Sequence, residues 1–277
     1  MTEAVSAHAH APVPDAASGD WDPARRFGGV QRLYGARGAR TIAEGHVVVV
    51  GVGGVGSWAA EALARSGVGA LTLIDLDHVA ESNVNRQVHA LTATLGMAKV
   101  HAMQARIAGI HPGCRVRAVD AFVAPDNWAE LWQLACRAQG EARPLAVIDA
   151  CDQMAAKETL AAWARATQKV PFVTVGAAGG KRLAYAVEVD DVALATHDPL
   201  LARLRQRLRR YHGAPRQGRI GVTAVFSREA VAPPDPSCAL GREGNLNCHG
   251  YGSSVAVTAT FGLCAAGWVL DRVARFS

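Results

Sequence analysis

The chain has 277 residues, half of them apolar, and carries 29 Lys and Arg against 24 Asp and Glu for a net charge of +5. That much apolar chain supports a sizeable buried core in one large α/β domain or two modest ones, and it excludes a disordered polyelectrolyte. The first 24 residues, rich in Ala, His, Pro and Asp, show neither a basic start followed by an apolar run nor a helical period, so no secretory leader is read and a disordered extension over 1–24 is expected.

From residue 46 to about residue 190 strand and helix signals alternate, the pattern of a mainly parallel sheet with crossover helices. Strands are predicted over 46–50, 70–74, 115–119, 145–149 and 171–175, and helices over 57–66, 98–110, 127–138 and 157–167. The unbroken apolar run at 47–50 implies burial on both faces of the sheet. After Val189 the rhythm breaks. A basic helix is predicted over 199–211, then a Gly/Pro turn, a strand over 222–227 and a loop rich in Pro, Gly and Asn over 232–251. Residues 25–190 thus read as one domain and 191–277 as an elaboration that supplies specificity.

Two features of that C-terminal part bear on partners. Arginines gather at Arg203, Arg205, Arg207, Arg209, Arg210, Arg216 and Arg219, which suits a polyanion, although a solvated helix face has the same look. Residues 253–270 carry no charge and approach the length needed to cross a bilayer. Thr258, Thr260, Gly262 and Gly267 within them favour a buried or dimer-interface helix over a membrane span. The six cysteines, Cys114, Cys136, Cys151, Cys238, Cys248 and Cys264, never form a CxxC pair, which removes the usual signature of a structural zinc and fits a reduced, cytoplasmic protein.

The strongest local motif is Gly51-Val-Gly53-Gly54-Val-Gly56, placed between a strand and a helix. There the glycines permit a tight turn and bring phosphate against backbone amides at the positive end of the helix. Asp75 ends the next strand at a distance suited to a ribose hydroxyl, so the fold expected is α/β and Rossmann-like. These features specify only a nucleotide, and an NAD-dependent oxidoreductase shares them. The segments from Asp75 onward are more specific: Asp75-Leu-Asp77, Ser82-Asn83-Val-Asn85-Arg86-Gln87, Gly96-Met-Ala-Lys99 and Asp149-Ala-Cys-Asp152-Gln153. An arginine and a lysine gathered near phosphates suit an adenylating enzyme, where charge develops on the α-phosphate and on departing pyrophosphate.

Those five motifs, in this order, resemble the ThiF/MoeB superfamily over residues 25–190. The resemblance implies ATP bound over the glycine turn, with Asp75 and Asp77 at the nucleotide, Asn83 and Arg86 on the triphosphate, Lys99 neutralising phosphate charge and Asp152 holding magnesium. Each has a plainer alternative: Asp75 and Asn83 as turn or cap residues, Lys99 as a surface lysine, Asp152 as a helix N-cap. A narrower resemblance joins Arg26-Phe-Gly-Gly29, Arg32-Leu-Tyr-Gly35, the segment 51–69, Asn85-Arg-Gln87 with His89-Ala-Leu91, Asp198-Pro-Leu200 and the strand ending at Ser227. It is to the TcdA branch, and it implies an ATP-dependent dehydration of threonylcarbamoyladenosine at position 37 of tRNA.

That likeness further implies a homodimer in which Arg26 or Arg32 reaches the partner's ATP. With a tRNA as substrate, the arginine run itself is expected to grip phosphates through Arg203, Arg205, Arg207, Arg209 and Arg210. The turn at 176–180 is expected near the nucleotide. Activation of a ubiquitin-like sulfur carrier is the alternative, because the same chemistry serves a protein C-terminus. A sulfur-transfer partner acting through Cys238 or Cys248 stays open, Cys151 reads as a small buried hydrophobe, and the residues leave open a monovalent cation.

Overall fold

The structure, a computed structural model, describes residues 21–137, 146–168, 170–237 and 251–275. In chain order the main elements are α1 (Pro23–Glu44), β1 (His46–Val50), α2 (Gly56–Arg65), β2 (Ala70–Ile74), α3 (Lys99–Ile110), β3 (Arg115–Val119) and α4 (Trp128–Arg137). They continue as β4 (Ala146–Asp149), α5 (Met154–Thr167), β5 (Phe172–Val175), β6 (Val187–Asp191), α6 (Pro199–Tyr211), β7 (Thr223–Ser227) and α7 (Val255–Val273). The seven strands form one sheet in the order β3-β2-β1-β4-β5-β7-β6, parallel throughout except for β6, which runs antiparallel to β7. The Rossmann-like expectation therefore holds.

Alternation along β1 shows how the sheet is buried on both sides. Val47 and Val49 enter a core shared with α2, α3 and α7, while Val48 and Val50 enter a second core shared with α4, α5 and α6. With helices on both faces, β-branched residues at every position are satisfied, which is why this strand reads as a continuous apolar run. The register sets Val50 beside Ile74 and Asp149, and Asp149 beside Thr174. The strands thus end level, and the loops after β1, β2, β4 and β5 collect at one edge where the strand order reverses, the usual place for a ligand in an open α/β sheet.

Three sequence expectations change. The 22-residue α1 is absent from the sequence reading, because four glycines interrupt its pattern and Gly35, at φ +73°, breaks its helical backbone. Residues 21–24, assigned to a disordered extension, are structured: Trp21 meets His111 edge-on with ring centroids 5.5 Å apart, and Asp22 accepts the Ala24 N–H at 2.8 Å. Residues 1–20 lie outside the described residues. The expected boundary at 190 is absent from the fold, since β7 pairs in parallel with β5 and closes the same sheet. A βα rhythm interrupted by an antiparallel edge strand, β6, accounts for the false break.

Finally, α7 is long and apolar enough to cross a membrane, but it packs on α2 and on β4 and β5. A Cβ on Gly262 would lie 2.4 Å from the Val55 carbonyl oxygen, so α7 and α2 touch backbone to backbone. That close crossing marks α7 as a core helix under the nucleotide turn.

Candidate active site

The turn after β1 is built on steric necessity. Gly51 sits at φ +83°, and a Cβ there would lie 2.8 Å from the backbone of Ala150 and Cys151. At Gly56 a Cβ would fall 1.7 Å from the Gly51 carbonyl oxygen, so α2 can begin only with glycine at that position. Gly51, Gly53 and Gly54 line a cavity of about 520 Å³ at the strand edge, within the usual range of a small-molecule site. Gly56 shapes the turn from beneath and does not line that cavity.

Asp75 also faces the cavity, and it is buried. Its carboxylate accepts N–H bonds from Val52 at 2.6 Å and Asp77 at 2.8 Å, tying the end of β2 to the glycine turn. Burial pushes its pKa above the usual carboxylate value, against the pull of the Lys99 ammonium and the two amides. Asn83 does cap a short 3₁₀ turn, since its Oδ1 accepts the Ala80 N–H at 3.1 Å, yet the residue lines the cavity as well.

Arg86, nearly buried, donates from Nη1 to the Ser82 carbonyl at 2.7 Å and to Asn85 Oδ1 at 2.9 Å. Lys99 is no free surface lysine: it opens α3, is 6 % exposed, and its Nζ pairs with Asp77 Oδ2 at 2.7 Å. Asp152 is exposed in the cavity wall and makes no hydrogen bond or ion pair among the described residues. It is not a helix cap either, because α5 starts at Met154 after an N-cap at Gln153. Arg86, Lys99 and Asp152 thus come to one cavity with Asp75, Asp77 and Asn83.

Sequence reasoning misses what lies beneath. Lys157, read from sequence as no more than the first residue of a helix, is completely buried, and its Nζ pairs with Asp149 Oδ2 at 2.8 Å. It also donates to Thr174 Oγ1 at 3.0 Å and to the Val175 carbonyl at 2.9 Å. Asp149 Oδ1 in turn accepts the Cys151 N–H at 3.2 Å, which fixes the turn that presents Asp152. The available cue is a lysine eight residues after a strand-terminal aspartate, on the inward face of an amphipathic helix.

The ThiF family profile matches residues 28–272. The chain belongs to the ThiF family. It is 44% identical over 259 residues to the tRNA threonylcarbamoyladenosine dehydratase of Escherichia coli (strain K12), covering 90% of this chain and 93% of that protein. Identity to the Haemophilus influenzae protein of that name is 35%, over 91% of this chain and 94% of the relative. A crystal structure of the E. coli enzyme in complex with ATP superposes with a TM-score of 0.79 at 43% identity, covering 90% of this chain and 94% of that one.

Within this ThiF-family chain the arginines of α6 do not act as one face. Arg205 donates to the Val192 and Ala195 carbonyls at 3.1 and 2.8 Å, Arg207 pairs with Glu158, and Arg209 donates to the Pro215 carbonyl at 3.1 Å. Arg210 lies over the Tyr211 ring at 5.2 Å. Arg203 alone of the five lines the cavity, and it is exposed with no partner among the described residues. The reason is registry: arginines at alternate positions on a helix point in several directions, and those beside α5 and the 212–220 turn find carbonyls and a carboxylate.

The arginines of α1 also separate. Arg26 donates to the Ile110 carbonyl at 2.6 Å in its own chain, while Arg32 has no such bond among the described residues. Cys238 and Cys248 lie outside the described residues. Cys151 lines the cavity, but burial and then the Asp149 charge push its pKa well above that of an ordinary thiol, and its Sγ donates to Asp149 Oδ1 at 2.8 Å. A thiol held in its protonated form is a poor nucleophile. We therefore expect Cys151 to alkylate with iodoacetamide at pH 8 at least about tenfold more slowly than a free cysteine peptide, as followed by mass spectrometry. Labelling at the peptide's rate would contradict that assignment.

Proposed function

We propose that this ThiF-family protein binds ATP in the cavity and uses it to dehydrate threonylcarbamoyladenosine at position 37 of tRNA. The observation that carries the reading is the meeting of Arg86, Lys99 and Asp152, the last without a partner among the described residues, in a cavity above a glycine turn and a helix N-terminus. That is a charge pattern for a triphosphate. Two relatives matched over nine-tenths of this chain carry the dehydratase name, which favours a tRNA substrate over a sulfur-carrier protein.

In the proposed reaction the threonyl carboxylate attacks the α-phosphorus of ATP and pyrophosphate departs, leaving an acyl-adenylate. The neighbouring ureido nitrogen then attacks the acyl carbon, loses its proton, and expels AMP with the former carboxylate oxygen. The net loss is one water. Closure within one molecule has a large proximity advantage, so neither an enzyme nucleophile nor a sulfur-transfer partner is required.

In this reading Asn83, Arg86 and Lys99 act on the phosphates, and Asp75 and Asp77 position the nucleoside end. Asp152 fits a magnesium ion of the kind that phosphates largely hold, for which one carboxylate suffices; no cluster of three ligating side chains occurs among the described residues. Such an ion, when bound, would offset charge on the phosphates. On the same reading Arg203, which lines the cavity, meets the tRNA, and Arg32 reaches a second copy in a homodimer. We place the protein in the cytoplasm with its tRNA.

The deciding experiment is nucleoside analysis of tRNA from cells lacking the gene, complemented with wild type or Asp152→Ala. The cyclic nucleoside is expected to vanish in the deletion and to return only with wild type. Pyrophosphate exchange stimulated by a Gly-Gly-ended protein and not by modified tRNA would replace this reading with the sulfur-carrier one.

A further inference from the structure

Outside the nucleotide contacts, one buried charge has no part in the proposed chemistry. Lys181 is 2 % exposed, and its ammonium donates to the carbonyl oxygens of His197 at 2.8 Å, of Ser227 at 3.3 Å, and of Glu229. Three backbone carbonyls from two separate segments, residue 197 and residues 227–229, aim at a single point. Burial lowers the lysine's pKa, with Asp198 and Glu229 acting in the opposite sense.

The surroundings are bent to make this cage. His197 takes a left-handed backbone, φ +57°, rare for a residue with a side chain, and it is the residue whose carbonyl lies closest to Nζ among those at ordinary distance. Gly180 also sits at φ +71°, and a Cβ there would lie 2.6 Å from Val231 Cγ1. Next to the cage, Asp198 accepts the Ala177 N–H at 2.9 Å and the Leu201 N–H at 2.9 Å, and Glu229 accepts the Leu183 N–H at 2.8 Å.

These ties bear on the cavity. The segment leading into Lys181 supplies Gly176, Ala177 and Gly179 to its lining, the start of α6 after His197 supplies Pro199, Leu200 and Arg203, and the stretch after Glu229 supplies Val231. These stretches of the wall meet at the Lys181 ammonium, with the Asp198 and Glu229 carboxylates tying the same segments beside it.

We propose that Lys181 is a built-in monovalent cation: its ammonium fills a backbone-carbonyl cage that K⁺ or NH₄⁺ would otherwise occupy, and so keeps the substrate-side wall in place without an added ion. An ammonium and a potassium ion carry the same charge and are both satisfied by converging carbonyl oxygens, so each can neutralise the same cage. Lys181 is then a positioning residue. It fixes Arg203 and the 176–179 turn and touches no reacting atom.

The test compares wild type, Lys181→Ala and Lys181→Met in KCl, NH₄Cl and choline chloride at equal ionic strength, reading melting temperature and the KM for threonylcarbamoylated tRNA. Wild type should be indifferent to the cation. Lys181→Ala should melt lower in choline and show a KM raised at least about fivefold, because three buried carbonyls lose their donor. Both should recover along a saturating curve as K⁺ or NH₄⁺ is added.

Lys181→Met, whose side chain fills the space without charge, should not recover. If Lys181→Ala folds only with K⁺ or NH₄⁺ present, the proposal is supported in its strongest form. A wild type that needs K⁺, or a Lys181→Ala protein that no monovalent cation restores, would overturn it. The KM arm rests on the proposed tRNA substrate; the melting arm does not, so failure of one is told apart from failure of the other.

Discussion

Arg86→Ala and Asp152→Asn should each lower kcat/KM for adenylate formation by at least about 10²-fold, equivalent to roughly 3 kcal/mol of lost transition-state stabilisation. The expectation rests on the bonding capacity each side chain has left to give. Arg86 is anchored through Nη1 to Ser82 and Asn85, which holds the guanidinium plane and leaves Nε and Nη2 without a protein partner among the described residues. A pre-oriented cation of this kind acts on developing phosphate charge without having to reorganise.

Asp152 has no partner among the described residues, so its removal leaves no buried group stranded and the fold should be unaffected. Asp152→Asn keeps the size and removes the charge. Pyrophosphate exchange and AMP release, with thermal melting as the control for folding, measure both variants. Rates within threefold of wild type in a normally melting Asp152→Asn protein would remove that carboxylate from the chemistry. Lys99 is the subtler case: its ammonium already pairs with Asp77, so part of what it offers a phosphate must be withdrawn from that pair.

The sequence made the nucleotide half of this site legible because sterics and spacing act locally there. Only glycine satisfies the positions 51 and 56, and a strand end fixes where Asp75 stands; both constraints leave marks within a few residues. Pairings between distant segments leave no such mark. Nothing near residue 181 announces that its side chain will end among the carbonyls of residues 197, 227 and 229. Likewise, the arginines of α6 look like a phosphate-binding run, and only the fold reveals that Glu158 and the Val192, Ala195 and Pro215 carbonyls already engage three of them.

The misplaced boundary near 190 has the same origin: strand order in a sheet is a long-range property, and β7 joins β5 across an intervening stretch that holds both β6 and α6. The missed helix α1 is a different failure. Glycines at 28, 29, 35 and 38 argue against a helix by propensity, yet Gly38 lies where a Cβ would press within 3.3 Å of Ala274, so packing on α7 overrides the local preference.

Lys157→Met should have the largest effect on stability, a loss of about 3–5 kcal/mol, seen as a fall in the denaturant midpoint at unchanged slope. Both members of the Lys157–Asp149 pair are fully buried, and removing the ammonium leaves an uncompensated carboxylate charge in the core, held only by the neutral donors Thr174 Oγ1 and the Cys151 N–H and Sγ. The damage should be undone in part by making the core neutral: Lys157→Met combined with Asp149→Asn is expected to be more stable than Lys157→Met alone, the sign of coupling that a buried ion pair requires.

The pH dependence has its source in the same pair. Burial alone would lower the Lys157 pKa, but Asp149 chiefly, with further acceptors, holds it above the usual 10.5. A cation whose folded pKa exceeds its unfolded one contributes its full stability below the unfolded value and loses it as pH climbs through the folded value. The difference between wild type and Lys157→Met should therefore be constant from neutral pH to about pH 10 and shrink only above it. A difference under about 1 kcal/mol at neutral pH, or one that fades below pH 9, would mean that the buried pair does not hold the Asp149–Asp152 turn in the way the geometry indicates.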